Sequence, residues 1–443
     1  MRSLRFVSLV LAVSALTSVA AFAQSGNKVT IRVVESIHRV VESQRGAGGN
    51  WLNMIDQFEK ENPDIKVEVI DIPSTGDGSD GWAREDMMTA AGDNYDVLEC
   101  SNSLRLSKYV NAGFFHPLND LAKEAGYDME KKFGRFLKKY NGQVLWLPDD
   151  YSANIVYYNK AIFDAAKVPY PKAGWTWDDY AAIAKKLTDA KKGIYGSLMM
   201  QWEYYTYVTP AQKNIPAYKA DGTSNFDNPE YANWLKFFKA MGDSKSQPSW
   251  LDMSNKKLQW DSFMSGKFGM LMIGSWHLGL MADSKSYPRD WKFGIVAPPV
   301  PADGKGKAIL ANGGGFAVNR KAAHPKEAFK FVTFMVDHFA DYNPDVYYAR
   351  ADFTEDALKA KFSKDAEKFA NDGLTTTVFI NAIMNPAYAI VDEKIVGPAA
   401  SAINTTYTKE AEKYFLGAQT LDATVKNIKK KADEAIAKEK ASK

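Results

Sequence analysis

Cysteine is almost missing from this chain: Cys100 is the only one in 443 residues. One cysteine makes no internal disulfide, and with five histidines there is no Cys/His cluster at metal-ligand spacing. An excess of charge of one sign is also missing. Fifty-six Lys and Arg against 53 Asp and Glu leave a formal +3, which gives no push toward nucleic acid or an anionic membrane. Internal repeats and low-complexity tracts are lacking, which argues against a purely structural envelope protein. Beyond the N-terminus no apolar run approaches the roughly 20 residues that cross a bilayer.

What is present begins with MRSLRFVSLVLAVSALTSVAAFA. Arg2 and Arg5 lead an apolar run, and Ala21 and Ala23 flank Phe22 in an Ala-x-Ala pattern. This reads as a cleaved secretory signal over residues 1–23, with the mature chain starting at Gln24. Losing the two arginines takes the formal charge from +3 to +1. Cys100 lies far from the cleavage point, so no lipid-anchored first residue is expected. An exported protein diffusing in the periplasm is the expectation.

At this length, with 46% hydrophobic residues, two globular units are expected. Strand patterns at 29–36, 66–72 and 95–101 alternate with helical patterns at 50–64 and 82–92, the mark of a parallel sheet with crossover helices. In such sheets ligands sit beyond the carboxyl ends of the strands. That singles out Ser36 and His38 after the first strand, and Asn102 and Ser103 after the third. The run 142–160 is strand-like with a Pro-Asp-Asp interruption. Asp149 and Asp150 point to opposite faces of an extended chain, so they read as turn residues, with one ligand hydrogen bond for Asp150, and not as an acid/base pair. Thr176 caps a helix over 176–190 with Asp178 and Asp179 in its first turn.

The middle of the chain is crowded with aromatic rings: WEYYTYV at 202–208, then Trp250, Trp260, Trp276 and Trp291. Sugars present apolar C–H faces edged with hydroxyls, so they stack on indole and phenol rings while neighbouring polar groups take the hydroxyls. Trp234, Phe237 and Phe238 share one helical face and read as core.

Four stretches in order, LWLPDDYSANIVYYNKAIFDAAKV, AGWTWDDYAAIAKKLTDAKKG, FMSGKFGMLMIGSWHLGLM and WKFGIVAPPVPADGKGKAILANGGGFAVNRKAAHPKEAFKFVTFMV, resemble the extracellular solute-binding proteins of carbohydrate ABC transporters. The resemblance implies an α/β, two-lobed periplasmic-binding-protein clamp of type II, each lobe a mixed, mostly parallel sheet flanked by helices. The chain would cross between lobes three times, with 27–152 plus 296–347 in the N-terminal lobe and 153–295 plus 348–443 in the C-terminal one. It implies no enzyme activity and no cofactor. The partners implied are a carbohydrate held in the interlobe cleft and the permease subunits of the inner membrane; the protein itself is expected to be a monomer. Trp276, in GSW, matches the family tryptophan that stacks on the sugar. Trp202, Glu203 and Tyr205 match a loop that sets a carboxylate and a ring against it. After the third strand ECSNSL replaces the tryptophan and acid of maltose-type members, which points to a sugar held by amide and hydroxyl groups.

Two other readings stay open here. A secreted hydrolase or lyase acting on polysaccharide shares the aromatics and the export signal, but it needs two facing carboxylates and no local signature marks them. A phosphorylated sugar or a polyol is the other; a phosphate would want an arginine pair, with Arg39, Arg84, Arg105 and Arg350 as candidates. The segments DGSD (77–80) and DGTSNFD (221–227) read as turns and not as calcium loops. Gly313, Gly314 and Gly315 precede the strand-like FAVN, not a helix, so they are no phosphate loop. By the family pattern they lie on the cleft edge, where bare backbone approaches a ligand or lets the strand bend.

Overall fold

A computed structural model describes residues 28–35, 51–72, 79–91, 94–100, 102–342 and 347–441. Its first sheet begins as the alternation of strands and helices predicts. Strands β1 (Val29–Glu35), β2 (Ile65–Asp71) and β3 (Val97–Cys100) pair in parallel in the order β2-β1-β3. Helices α1 (Trp51–Glu61) and α2 (Ser79–Ala91) follow the first two strands, and α3 (Ser103–Asn111) follows the third. Alternate residues bury in opposite directions: Ile31, Val33 and Val97 join one core, Val34, Leu98 and Cys100 the other. A strand with both faces covered needs apolar side chains on both, which is why these runs are nearly continuous. Trp51 of α1 stacks on Phe316 at 5.2 Å.

The Pro-Asp-Asp interruption is where the chain changes sheets. Strand β4 (Leu147–Pro148) ends the first sheet, and β5 (Asp150–Asn159) is the central strand of the second. Antiparallel to β5 run β6 (Met270–Gly274), β7 (Phe293–Val296), β8 (Ala308–Asn312) and β10 (Tyr347–Tyr348), the last paired with Asp150 and Tyr151. Strand β11 (Ala389–Asp392) adds in parallel to β8. The return path lies at the three glycines, because β9 (Gly315–Val318) pairs antiparallel with both β3 and β4 in the first sheet. Strand β8 therefore belongs to the second sheet, although residues 296–347 read as first-lobe sequence. The second sheet is mixed, as expected, but its β5 pairings are antiparallel where mostly parallel ones were expected. One long strand serves four partners there, and no crossover helix separates β7 from β8.

The predicted helix at 176–190 is Trp177–Leu187, closed by a capping box between Thr176 and Asp179. Trp234 and Phe238 are buried as predicted, with Phe237 stacked on Trp234 at 4.9 Å. Among the described residues no helix is long and apolar enough to cross a membrane.

Candidate functional site

Among the tryptophans whose side chains are described, Trp276 stands apart by exposure. Strand β6 stops at Gly274, and a single 3-10 turn, Ser275–His277, swings the indole outward while Ser275 and His277 stay buried. Trp276 is 41% exposed, whereas Trp51, Trp175, Trp177, Trp234, Trp250 and Trp291 are all buried. Gly274 is required for that geometry: a Cβ there would lie 2.4 Å from the indole Nε1 and 2.8 Å from Ser152 Oγ. Trp202 lies beside Trp276 with ring centroids 6.3 Å apart, and Trp260 meets it edge-on at 6.1 Å. Three indoles thus border one open apolar face, surface that gains free energy when covered.

The loop carrying Trp202 continues as the 3-10 turn Glu203–Thr206. Glu203 Oε1 pairs with Lys394 Nζ at 3.1 Å, both side chains partly exposed. Tyr205 corrects the expectation that its ring faces ligand. It is fully buried, and its hydroxyl donates to the backbone oxygen of Met272. Its place is beneath the loop, tying Trp202 to the strand that leads to Trp276.

Below the tryptophans, β5 and β8 supply a polar floor. Asp150, Ser152 and Asn154 alternate with Tyr151 and Ala153 and so share one face, and Asn312 is the register partner of Ser152. Asn154 Nδ2 donates to Glu393 Oε2 at 2.9 Å, and Glu393 is held by its own N–H to the Ala311 carbonyl at 3.0 Å. Burial raises the Glu393 carboxyl above the usual range; Lys394 and the Asn154 hydrogen bond oppose this, while Glu203 and Asp392 add to it.

The floor runs into a cavity of about 450 Å³ at the point where the chain changes sheets, lined among others by Ser103, Arg135, Asp150, Asn312, Gly313 and Gly314. The glycines here are packing requirements. A Cβ on Gly313 would sit 2.7 Å from the Asp150 carbonyl, and one on Gly315 2.5 Å from the Leu147 carbonyl and the Trp146 ring. Gly314 donates its N–H to Asp150 Oδ1 at 2.7 Å, so that carboxylate braces the crossing. Gly313 and Gly314 also line the cavity.

Other predicted residues are placed differently. Asn102 caps α3, its Oδ1 accepting from Arg105 N–H at 3.1 Å, and it is buried in that role. Ser103, the next residue, lines the cavity with its Oγ unpaired. Arg350 is not free for a ligand: its side chain is 9% exposed and paired with Asp337 and with Asp352 at 2.6 Å. Arg105 is likewise paired with Glu85 at 2.8 Å. Ser36 and His38, with Arg39, lie outside the described residues. Ser152, Asn154, Asn312, Glu393 and Lys394 were missed; the polar alternation Asp150-x-Ser152-x-Asn154 in an otherwise apolar strand was the signal available. Among the described residues no group of three or more His, Cys, Asp or Glu is placed to hold a metal ion.

Residues 42–338 match the family described as bacterial extracellular solute-binding protein. A protein of Brucella abortus named as a binding protein is 24% identical over 439 residues, 95% of this chain and 97% of that one. The sn-glycerol-3-phosphate-binding periplasmic protein of Escherichia coli is 24% identical over 334 residues, 71% of this chain and 72% of its own. Among solved structures, an ABC substrate-binding protein from Listeria monocytogenes in complex with cycloalternan superimposes with a TM-score of 0.73 at 25% identity, covering 93% of this chain and all of that one. The fold is that of the type II periplasmic binding proteins. With a family match over two thirds of its length and two mixed sheets joined beside a cavity, this chain belongs to the bacterial extracellular solute-binding proteins.

Proposed function

We propose that this protein captures a sugar or oligosaccharide between two lobes, one built on each sheet, and delivers it to the permease of an ABC importer. The observation that carries the reading is Trp276, exposed between Trp202 and Trp260 at the edge of a polar floor. A sugar's C–H face covers the indoles and its hydroxyls meet Ser152, Asn154 and Asn312; a missing hydroxyl leaves a buried polar partner unpaired, which is the source of specificity. Closure follows from ligand making contacts to both lobes only in the closed state. Contacts joining the lobes support this: Ser107 Oγ accepts from Gly397 N–H at 3.0 Å, and Asn111 Nδ2 donates to the Gly397 carbonyl at 2.6 Å. Residues 1–23 act as the export signal, and the mature chain works in the periplasm as a monomer without cofactor or catalytic step.

The test is a titration of the mature protein, residues 24–443, with a sugar panel. Tryptophan fluorescence shifts with one or a few members while no product is released from any polysaccharide. Product release without a binding response supports an enzyme instead. The E. coli relative's name favours a second reading, a phosphorylated polyol. Arg105 and Arg350 are committed to ion pairs, and Arg135, over Phe136 at 5.2 Å in the cavity wall, is a cation beside the cavity that could serve it.

A further inference from the structure

The strap from Glu393 to Ala399, directly after β11, runs from the polar floor of the second sheet to the other lobe. Side chains of the site hold its start. Glu393 accepts from Asn154 Nδ2 on β5 at 2.9 Å, and Lys394 pairs with Glu203, the neighbour of Trp202, at 3.1 Å. Further anchors come from the second lobe: Ile395 N–H donates to the Tyr207 hydroxyl at 3.4 Å, the Pro398 carbonyl accepts from the Tyr218 hydroxyl at 2.7 Å, and Ala399 N–H donates to the Glu439 carboxylate. Between these anchors Gly397 faces the first lobe. Its N–H donates to Ser107 Oγ at 3.0 Å, and its carbonyl accepts from Asn111 Nδ2 at 2.6 Å. Both partners lie on α3, whose Leu106 and Tyr109 pack in one core with Val34 and Leu98 of the first sheet. Glycine is required at this tip, because φ is +128° and a Cβ would stand 2.8 Å from the Tyr218 ring.

We infer that Gly397, Ser107 and Asn111 form a latch that sets the affinity of this protein without touching the ligand: the contact is made when the lobes close and released when they part. None of the three lines the floor cavity. The contact is narrow. Beside it lies a second cavity of about 550 Å³, lined by Ala112 of α3 and by Ala400, Ala402 and Ala435 of the helices Ala400–Phe415 and Leu421–Ala441, so the lobes meet here at a point and not over a packed face. Such a contact breaks without unpacking either core. Two hydrogen bonds made only in the closed arrangement raise its population, and the apparent affinity rises with the fraction of protein that is closed. Asn154 and Glu203 hold the same strap, so floor, indole loop and latch are tied into one unit. The inference rests on the sugar-capture reading and adds to it residues that tune capture from outside the cavity.

The experiment follows amide hydrogen exchange of the isotope-labelled mature protein by NMR, with and without the panel sugar that shifts wild-type fluorescence. Calorimetry then gives the Kd of that sugar for Ser107→Ala, Asn111→Ala and the double variant. With sugar bound, Gly397 N–H should exchange at least about tenfold more slowly, while Ile395 and Ala399, whose N–H groups bond within their own lobe, serve as references that change little. Each single variant should weaken Kd about fivefold and the double variant about ten- to thirtyfold, the worth of one and of two hydrogen bonds. Asn111→Ala, at a partly exposed position, keeps the test valid should Ser107→Ala fail to fold. Equal protection of Gly397 with and without sugar, or a Kd within about twofold of wild type in the folded variants, overturns the latch while leaving sugar capture standing. A wild-type protein that answers no member of the panel overturns sugar capture and the latch with it.

Discussion

Replacing Trp276 by alanine should weaken ligand binding between about 10- and 70-fold and leave the fold intact. An indole side chain buries at most roughly 250 Å², and 41% of Trp276 is open in the ligand-free protein. About 100 Å² therefore awaits a ligand, and covering it at about 25 cal/mol per Å² contributes about 2.5 kcal/mol, or about 70-fold in Kd. Trp202 and Trp260 stay in place and cover part of the same ligand face, which sets the lower end. Because the substitution also removes a fluorophore, the readout should be calorimetry, with thermal unfolding as the control. Because the rest of the indole is already covered within the protein, beside Trp202 and Trp260, its loss should also lower stability, by about 1–3 kcal/mol, and Trp276→Phe should fall between wild type and alanine. If the folded alanine variant binds the same ligand within twofold of wild type, Trp276 is not a stacking platform and the site has been placed wrongly.

Two further outcomes are expected. Gly315→Ala should lower the urea midpoint by the equivalent of about 1–3 kcal/mol, because its Cβ would press on the Leu147 carbonyl and the Trp146 ring at 2.5 Å, where neither β4 nor β9 has room to move; an unchanged midpoint refutes the packing account. Acid should destabilise the C-terminal helices through Glu410. Burial alone would raise its carboxyl, but Lys413, Lys431 and Gln419 hydrogen-bond it and bring it down to about 2. A depressed carboxylate stabilises the folded state above its unfolded pKa near 4.5 and loses that contribution as pH falls toward 2. Thermal midpoints measured from pH 5 to pH 2 should therefore fall less in Glu410→Gln than in wild type, and parallel curves would remove Glu410 from the explanation.

Much of the first sheet was legible because its signals are local. Period-2 runs separated by period-3.6 runs need no distant partner to be read, and Val29–Glu35, Trp51–Glu61 and Ile65–Asp71 fall within a few residues of where the patterns put them. Thr176 and Asp179 were readable as a helix start for the same reason. The site was legible only in part. Trp276 was named through its motif, but sequence shows no difference between Trp276, which points outward, and Tyr205, which hydrogen-bonds inward to Met272; both are aromatic residues next to turns. Arg350 looked available because its partners, Asp337 and Asp352, are set by packing.

The amino-acid order by itself determined the class of the molecule: an α/β chain with an export-like start, no disulfide, no one-sided charge, an indole-rich middle and family motifs in order. Periodicity, composition and motif order all reside in neighbouring residues. Only the tertiary structure decided that Pro148 and Asp150 lie in different sheets, that Gly313 and Gly315 are bare because backbone lies within 3 Å of where a Cβ would stand, and that Ser152, Asn154, Asn312 and Glu393 stand together. Those facts depend on which strands pair across separations of more than 150 residues, and pairing is chosen by burial summed over the whole core, which no local window contains.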